Sequence, residues 1–200
     1  MGQEANGTTT AGLGWHRDIR EVFERVPRAR FLPPDMARYW RLDRPLALPH
    51  GQTNSQPSTV RAMLRLLDVA RGQRVLDVGA GSGWTTALLA ELVGDEGRVI
   101  GVERIPLLAD GAREALGEDW PWAEVRLAGA ELGAPADGPF DRILVSAMAG
   151  EVPQPLVDQL ADGGVLVVPV DGVMLRAVKS TDGLAVTEHG YYSFVPLIVE

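Results

Sequence analysis

The spacing of hydrophobic residues predicts alternating strands and helices through the middle of the chain. Five short apolar runs are typical of strands buried in a sheet: residues 75–78, 99–102, 125–127, 142–145 and 165–168. Helical spacing follows three of these runs, at residues 85–93, 105–116 and 155–160. Strands that alternate with helices form parallel βαβ units, so we expect a sheet with helices on both faces.

The hydrophobic pattern changes at both ends of this core. Two helices are predicted before it, at residues 15–26 and from Pro57 to a stop at Gly72. The stretch between them, residues 28–56, is rich in proline and irregular, as in a binding surface or a lid. A turn is predicted at residues 162–164. Beyond it, three strand-like segments predict an antiparallel edge, at residues 175–179, 185–189 and 194–199.

These elements together predict an α/β fold with a doubly wound, mostly parallel sheet, N-terminal helices and an antiparallel C-terminal edge. Residues 1–14 are polar, lack the features of a signal peptide and are expected to form a flexible leader. A single domain would follow. Its parts would be an N-terminal helical and irregular segment, a βαβ core and C-terminal strands, at residues 15–72, 73–170 and 171–200.

Composition and charge exclude several classes of protein. With 46% hydrophobic residues, the 200-residue chain can bury the core of one domain. Its net charge of −8 argues against binding nucleic acid through phosphates or docking on an anionic membrane. No apolar run approaches the length of a membrane span. The chain lacks cysteine, which excludes disulfides and is compatible with a reducing cytoplasm. Its three histidines lack ligand spacing, so no metal is expected.

A glycine-rich turn after the first predicted strand is the most informative motif. Glycines at 79, 81 and 83 let the chain turn sharply and let a ligand lie against bare backbone. A dinucleotide fingerprint would need glycine at Trp84, and no P-loop lysine follows. Glu103 ends the next strand, about 20 positions further on, where a carboxylate can bind ribose hydroxyls. These features predict a nucleoside site without identifying the cofactor.

The segment before the second helix allows two interpretations. Residues 51–57 read Gly-Gln-Thr-Asn-Ser-Gln-Pro. Ser55 could cap the helix that starts at Pro57, or its hydroxyl could serve a functional site. The residue types alone do not decide between these roles.

These motifs together resemble the protein-L-isoaspartate O-methyltransferase family. The glycine turn by itself is general to class I S-adenosylmethionine-dependent methyltransferases, whereas Gln-Thr-x-Ser-Gln-Pro combined with the ending Phe-Val-Pro-Leu is specific. The similarity extends from about residue 22 to the end, in the family's order, and implies a Rossmann-like methyltransferase domain over residues 15–200. The matching segments are residues 26–28, 51–57, 75–83, 102–106, 139–143, 146–153 and 194–197.

The resemblance implies S-adenosylmethionine as methyl donor, S-adenosylhomocysteine as product, and no metal. Ser55 would be the catalytic residue. Further cofactor-binding residues would be Gln52, Thr53, Asp77, Gly79, Gly81, Glu103, Arg104 and Gly129. Substrate-binding residues would be Ser55, Ser146, Ala147 and Val195. The implied reaction is protein repair in the cytoplasm, in which a monomer methylates isoaspartyl residues of damaged proteins without nucleic-acid or membrane partners.

Three positions depart from the family's pattern. Asn54 stands where isoleucine is usual, Ser193 where arginine is frequent, and residues 128–130 read Ala-Gly-Ala in place of Gly-Asp-Gly. The donor could bind more weakly, Glu131 could replace the missing acid, or the acceptor could differ. Two alternatives therefore stay open: a methyltransferase of the same fold with another carboxylate acceptor, and a cofactor-binding protein without catalysis.

The implied chemistry places modest demands on the protein. An isoaspartyl carboxylate, with a pKa of about 3.5, is ionised at neutral pH and needs no general base. An in-line transfer requires its oxygen to lie roughly 3 Å from the methyl carbon, shielded from water. A serine hydroxyl suits such orientation, so we expect Ser55→Ala to lower turnover while the fold and donor affinity persist.

Overall fold

The computed structural model describes residues 19–198, and its main feature is a seven-stranded sheet. The helices are α1 (Ile19–Arg25), α2 (Pro34–Ala37), α3 (Pro57–Leu67), α4 (Trp84–Val93), α5 (Pro106–Leu116) and α6 (Gln154–Asp158). The strands are β1 (Leu46–Ala47), β2 (Thr53–Asn54), β3 (Arg74–Val78), β4 (Arg98–Glu103), β5 (Ala123–Leu127), β6 (Phe140–Val145), β7 (Leu160–Val170), β8 (Val173–Ser180) and β9 (Gly183–Tyr191). Short 3-10 turns lie at Arg28–Phe31, Pro49–Gly51 and Pro135–Asp137.

The sheet has the strand order β5-β4-β3-β6-β7-β8-β9. The first five of these strands run parallel, and β8 and β9 are added antiparallel. One hydrophobic core packs α1, α3, α4 and α5 against one face, and a second core packs α6 against the other. The predicted doubly wound sheet with an antiparallel C-terminal edge is confirmed.

β3 and β6 lie side by side in the centre of the sheet, and the order in which the chain adds strands reverses between them. β3 is followed by β4 on one side, whereas the later strands continue outward from β6 on the other. Ligands of open α/β sheets bind beyond the carboxyl ends of the strands at such a switch point. The fold therefore places the turn after β3 at the expected binding crevice.

Several predicted boundaries differ from the structure. Residues 15–18 of the first predicted helix, and the leader at 1–14, lie outside the described residues. Helix α3 begins at Pro57 as predicted but ends at Leu67, because Asp68 adopts a left-handed conformation with φ 54°. The predicted turn at residues 162–164 is part of β7, whose pairing with β6 is irregular there.

The strand predicted at residues 194–199 is wrong for the described part of it. Pro196 forms an isolated bridge to Met148, and residues 194–198 contain no regular strand. The Met148 N–H donates to the Val195 carbonyl at 2.7 Å, and the Leu197 N–H donates to the Met148 carbonyl at 2.8 Å. The segment is thus tied to the loop after β6 and follows the crevice instead of extending the sheet.

Candidate active site

An open cavity with about 760 Å³ of empty space, its solvent-filled mouth included, lies beyond the carboxyl ends of β3, β4 and β6. Most of the predicted site residues lie in its wall, although they come from distant parts of the chain. Those that line it are Gln52, Thr53, Gly79, Gly81, Glu103, Arg104, Gly129, Ser146, Ala147 and Val195. The structure therefore brings together residues that the sequence separates by more than a hundred positions.

The glycine turn forms the floor of this cavity because its backbone takes conformations that side chains disfavour. Gly79, Gly81 and Gly83 all have positive φ, at 78°, 56° and 86°. A Cβ atom on Gly83 would lie 2.8 Å from the Leu116 side chain, so the turn packs directly on α5. Bare backbone at Gly79 and Gly81 is thereby presented to the cavity.

The carboxylate of Glu103 is held rigidly at the cavity wall. Its Oε2 accepts a hydrogen bond from the Gly81 N–H at 2.8 Å, and its Oε1 accepts one from the Ile105 N–H at 2.9 Å. Each carboxylate oxygen can accept a further hydrogen bond. A fixed acceptor pair beside a glycine turn suits the two vicinal hydroxyls of a ribose, so these residues fit a nucleoside cofactor.

Asp77 lies beneath the glycine turn instead of in the cavity wall. Its side chain is fully buried, and the Thr86 hydroxyl donates to its Oδ2 at 2.7 Å, while Oδ1 has no partner among the described residues. Burial raises the pKa of Asp77 to about 7; the Thr86 hydrogen bond opposes this shift and the Glu103 charge adds to it. The predicted role of Asp77 in cofactor binding would therefore be indirect.

The wall after β5 lacks the carboxylate that the family usually places there. Ala128, Gly129 and Ala130 contribute no charge, but the next residue, Glu131, also lines the cavity and is exposed. Glu131 is thus placed where it could replace the missing acid. Ile105, Leu108 and Leu132 add apolar wall, which the sequence patterns did not single out.

A second open cavity, with about 1010 Å³ of empty space including its solvent-filled mouth, adjoins the first and is lined by uncharged side chains. We call it the acceptor groove. The described residues that line it include no Asp, Glu, Lys, Arg or His. The lining consists of Pro45, Thr53, Ser55, Gln56, Ser58, Thr59, Ser146, Tyr191, Tyr192, Ser193, Phe194 and Val195.

Sequence reasoning found only part of this groove. Ser55, Ser146 and Val195 line it as predicted, whereas Ala147 lines only the first cavity. Tyr191 and Tyr192 were missed. They lie where β9 ends, and no motif links that position to the start of α3, so only the folded chain reveals that they are neighbours.

Three hydroxyl side chains meet where the two cavities join. Thr53 and Ser146 line both cavities, and with Ser55 they also line a smaller third cavity. Ser146 is fixed because its N–H donates to the Val78 carbonyl at 2.8 Å. A group bound in the acceptor groove and one bound in the first cavity would therefore approach each other beside these hydroxyls.

Ser55 does not cap the helix that follows it. The N-cap of α3 is Gln56, whose own side chain makes no capping hydrogen bond, and the Ser58 N–H in the first turn donates to Asp43 at 2.8 Å. The Ser55 side chain is half-buried and forms no hydrogen bond with another described residue. Of the two interpretations left open by the sequence, the capping role is wrong, and the hydroxyl is available at the junction.

Asn54 connects the Ser55 segment to the glycine turn. Its Nδ2 donates to the Ser82 hydroxyl at 2.9 Å, and its Oδ1 accepts from Arg28 Nε at 2.6 Å. Arg28 is 1% exposed, and it also donates to the backbone carbonyls of Asn54, Leu42 and Arg44. Its burial lowers the pKa of Arg28 to about 10, which the charge of nearby Asp43 partly opposes. The unusual asparagine thus satisfies a buried guanidinium.

Within residues 19–198, no three His, Cys, Asp or Glu side chains are grouped as a metal site would require. No helix in that range combines the length and the apolar character needed to cross a membrane.

The chain is similar to known methyltransferases over almost its full length. The sequence model of protein-L-isoaspartate(D-aspartate) O-methyltransferase matches residues 7–200. The protein-L-isoaspartate O-methyltransferase of Aeropyrum pernix is 46% identical over 197 residues, which cover 95% of this chain and 76% of that protein. The corresponding protein of Thermococcus onnurineus is 44% identical, with 91% and 86% of the two chains covered.

Solved structures agree with the sequence relatives. A Plasmodium falciparum chain assigned to the same methyltransferase, in complex with S-adenosyl-L-homocysteine, superposes with a TM-score of 0.80 at 27% identity. The superposition covers 91% of this chain and 90% of that one. The fold, the site geometry and these relatives lead to one assignment: the chain belongs to the protein-L-isoaspartate(D-aspartate) O-methyltransferase family.

Proposed function

We propose that this S-adenosylmethionine-dependent carboxyl methyltransferase repairs damaged proteins by methylating the free carboxylate of isoaspartyl residues, and that Ser55 orients that carboxylate. The observation that carries the proposal is the junction at which Thr53 and Ser146 line both the first cavity and the acceptor groove, with Ser55 beside them in the groove and in the small cavity. Family membership supports the same reaction.

The residues of the first cavity fit S-adenosylmethionine. Glu103 would hold the ribose hydroxyls, and the backbone of Gly79 and Gly81 would lie under the methionine part. Gln52, Thr53, Arg104 and Gly129 would complete the wall, and Asp77 would support it from below. When bound, the donor supplies a methyl carbon on a positively charged sulfur.

The acceptor groove needs to orient its substrate but not to deprotonate it. An isoaspartyl carboxylate is already ionised at neutral pH, which agrees with a groove whose described lining includes no acidic or basic residue. The hydroxyls of Ser55, Thr53 and Ser146 can donate hydrogen bonds that direct one carboxylate oxygen toward the first cavity. Val195 would form part of the groove wall.

The departures from the family's pattern are compatible with this function. The Asn54 side chain has an internal structural role, since it forms hydrogen bonds with Arg28 and Ser82. Glu131 would supply the acid missing from residues 128–130. Ser193 contributes a neutral side chain to the groove where the family often has arginine, so the groove would accept isoaspartyl peptides without a fixed charge at that position.

We further propose that residues 15–200 act as a single methyltransferase domain and that the protein works as a cytoplasmic monomer. Its substrates would be isoaspartyl peptides and proteins, without nucleic-acid or membrane partners. The net charge of −8 supports the last point because phosphates would be repelled.

The decisive experiment measures transfer of labelled methyl from S-adenosylmethionine to an isoaspartyl peptide and to its normal-aspartate twin. We expect base-labile label on the isoaspartyl peptide alone. Ser55→Ala should lower turnover by roughly tenfold or more, because the carboxylate loses an orienting donor, while S-adenosylhomocysteine still binds in calorimetry.

Ser180→Ala, in the hairpin between β8 and β9, is the matched control and should leave turnover unchanged. Wild-type turnover in Ser55→Ala would remove Ser55 from the mechanism. Cofactor binding without label on the isoaspartyl peptide would favour another acceptor or a non-catalytic protein.

A further inference from the structure

A short exposed segment beside the acceptor groove carries three arginines that the proposed reaction does not use. Residues 38–44 read Arg-Tyr-Trp-Arg-Leu-Asp-Arg, and we call Arg38, Arg41 and Arg44 the arginine rim. We propose that the arginine rim binds acidic residues that flank the isoaspartyl residue in the substrate, so that the enzyme favours acidic damaged segments. This inference rests on the proposed function and names the substrate class that it would prefer.

The three guanidinium groups are held in place by aromatic rings. Arg38 and Arg44 both lie over Tyr39, at 4.7 and 5.8 Å from the ring centre, and Arg41 lies over Trp40 at 4.6 Å. A guanidinium that stacks on a ring keeps its N–H groups free at its edge, where they can bind a carboxylate in a fork geometry. The stacking thus pre-orders the rim for carboxylates.

Several arginines of the described chain have carboxylate partners, whereas those of the rim do not. Five arginines form ion pairs with nearby Asp or Glu: Arg30, Arg71, Arg98, Arg113 and Arg126. Arg38, Arg41 and Arg44 have no such pair among residues 19–198. In a chain with 27 acidic and 19 basic residues, three neighbouring unpaired arginines concentrate positive charge at one place.

The rim is anchored directly to the acceptor groove. Asp43, within the segment, accepts a hydrogen bond from the Ser58 N–H at 2.8 Å and one from Gln56 Nε2 at 3.3 Å, and both partners line the groove. The hydrogen bond from Ser58 is the largest of the effects that lower the pKa of Asp43. Pro45, which follows the segment, lines the groove itself.

This placement separates two tasks of recognition. The groove is uncharged and would receive the isoaspartyl residue with its adjoining backbone, whatever the sequence. The rim lies just outside it, within reach of side chains a few residues away in an extended peptide, because each residue spans about 3.3 Å. Acidic flanking residues would be attracted there, and basic ones repelled.

The test compares isoaspartyl peptides that differ only in their flanking residues, with glutamate in one and glutamine in the other. At about 20 mM salt we expect kcat/KM to be about three- to tenfold higher for the glutamate peptide, and the ratio to approach one at about 0.5 M salt, because exposed ion pairs are weak and screened. Calorimetric titration of each peptide into enzyme loaded with S-adenosylhomocysteine should give the same ratio of Kd values.

Two variants locate the effect. The triple substitution Arg38→Gln, Arg41→Gln, Arg44→Gln should bring the glutamate/glutamine ratio to about one, and Arg41→Glu should reduce it or invert it. The control is Arg71→Gln, since Arg71 pairs with Asp95 near the amino-terminal ends of β3 and β4, whereas the cavities lie at the carboxyl ends, and it should leave the ratio as in the wild type.

The outcomes separate this inference from the proposed function. Equal methylation of both peptides by the wild type, or a ratio that survives the triple substitution, would overturn the arginine rim while leaving the reaction intact. Methylation of neither peptide would instead overturn the proposed function. Binding of a single-stranded oligonucleotide that the triple substitution abolishes, with no change in the peptide ratio, would assign the surface to nucleic acid and refute the proposal.

Discussion

Asn54→Ile restores the residue that is usual in the family, yet we expect it to destabilise this protein. The substitution removes the Oδ1 that accepts from Arg28 Nε at 2.6 Å and the Nδ2 that donates to Ser82 at 2.9 Å. Arg28 is 1% exposed, so water cannot replace the lost acceptor. The backbone carbonyl of residue 54 would still bind Arg28 Nη2.

The expected loss follows from these contacts. A buried donor left unsatisfied costs about 1–3 kcal/mol, and the hydrogen bond to Ser82 contributes about 1 kcal/mol more. We therefore expect Asn54→Ile to lower the free energy of unfolding by about 2–4 kcal/mol. Asn54→Asp should cost less, because its carboxylate keeps an acceptor for Arg28 and loses only the donor to Ser82.

Urea unfolding followed by circular dichroism measures both variants, and calorimetry with S-adenosylhomocysteine reports on the glycine turn that Ser82 belongs to. The matched control is Ser82→Ala, which breaks the bridge to the turn but leaves the pair with Arg28 intact. A stability equal to wild type in Asn54→Ile, or a greater loss in Asn54→Asp than in Asn54→Ile, would refute the reasoning from the buried guanidinium.

Two further predictions concern the carboxylates near the cofactor. Burial raises the pKa of Asp77 to about 7, so the folded protein holds a proton that the unfolded chain releases near pH 4, and stability falls as the pH rises from about 4 to 7. As the pH rises from 5 to 8, the free energy of unfolding of Asp77→Asn in urea should increase by about 2–3 kcal/mol relative to that of the wild type. Parallel pH profiles for the two proteins would contradict this. Glu103→Gln should weaken calorimetric binding of S-adenosylhomocysteine by about tenfold or more, since a charged acceptor is lost, whereas unchanged affinity would exclude Glu103 from the ribose site.

The sequence was sufficient for the central sheet because its strands are continuous apolar runs bounded by turn residues. Predicted and observed limits of β3, β4 and β6 agree within two residues. The extent of β7 was missed because its Asp-Gly-Gly bulge has the composition of a turn. Residues 194–198 have the composition of a strand, yet they bind the loop at Met148, a tertiary contact that periodicity does not encode.

The candidate site shows the same limit. Motifs identified the glycine turn, Glu103 and Ser55, since each depends on residue types at a fixed local spacing. The burial of Arg28 could not be predicted, because two of its partners are the backbone carbonyls of residues 42 and 44, which leave no signature in the sequence. For the same reason Asn54 stood out only as a departure from the family, not as a structural partner.

The two cavities differ in how firmly their walls are supported. The first cavity rests on β3, which is paired on both sides within the sheet. One wall of the acceptor groove instead follows β9, an edge strand paired within the described residues only to β8, and Tyr191 at its end is 88% exposed. Edge elements with few buried contacts open locally at lower free energy than central strands. The fold thus provides a rigid site for the cofactor, which is always the same molecule, and a more deformable groove for polypeptides of many sequences. A protein-repair enzyme requires both.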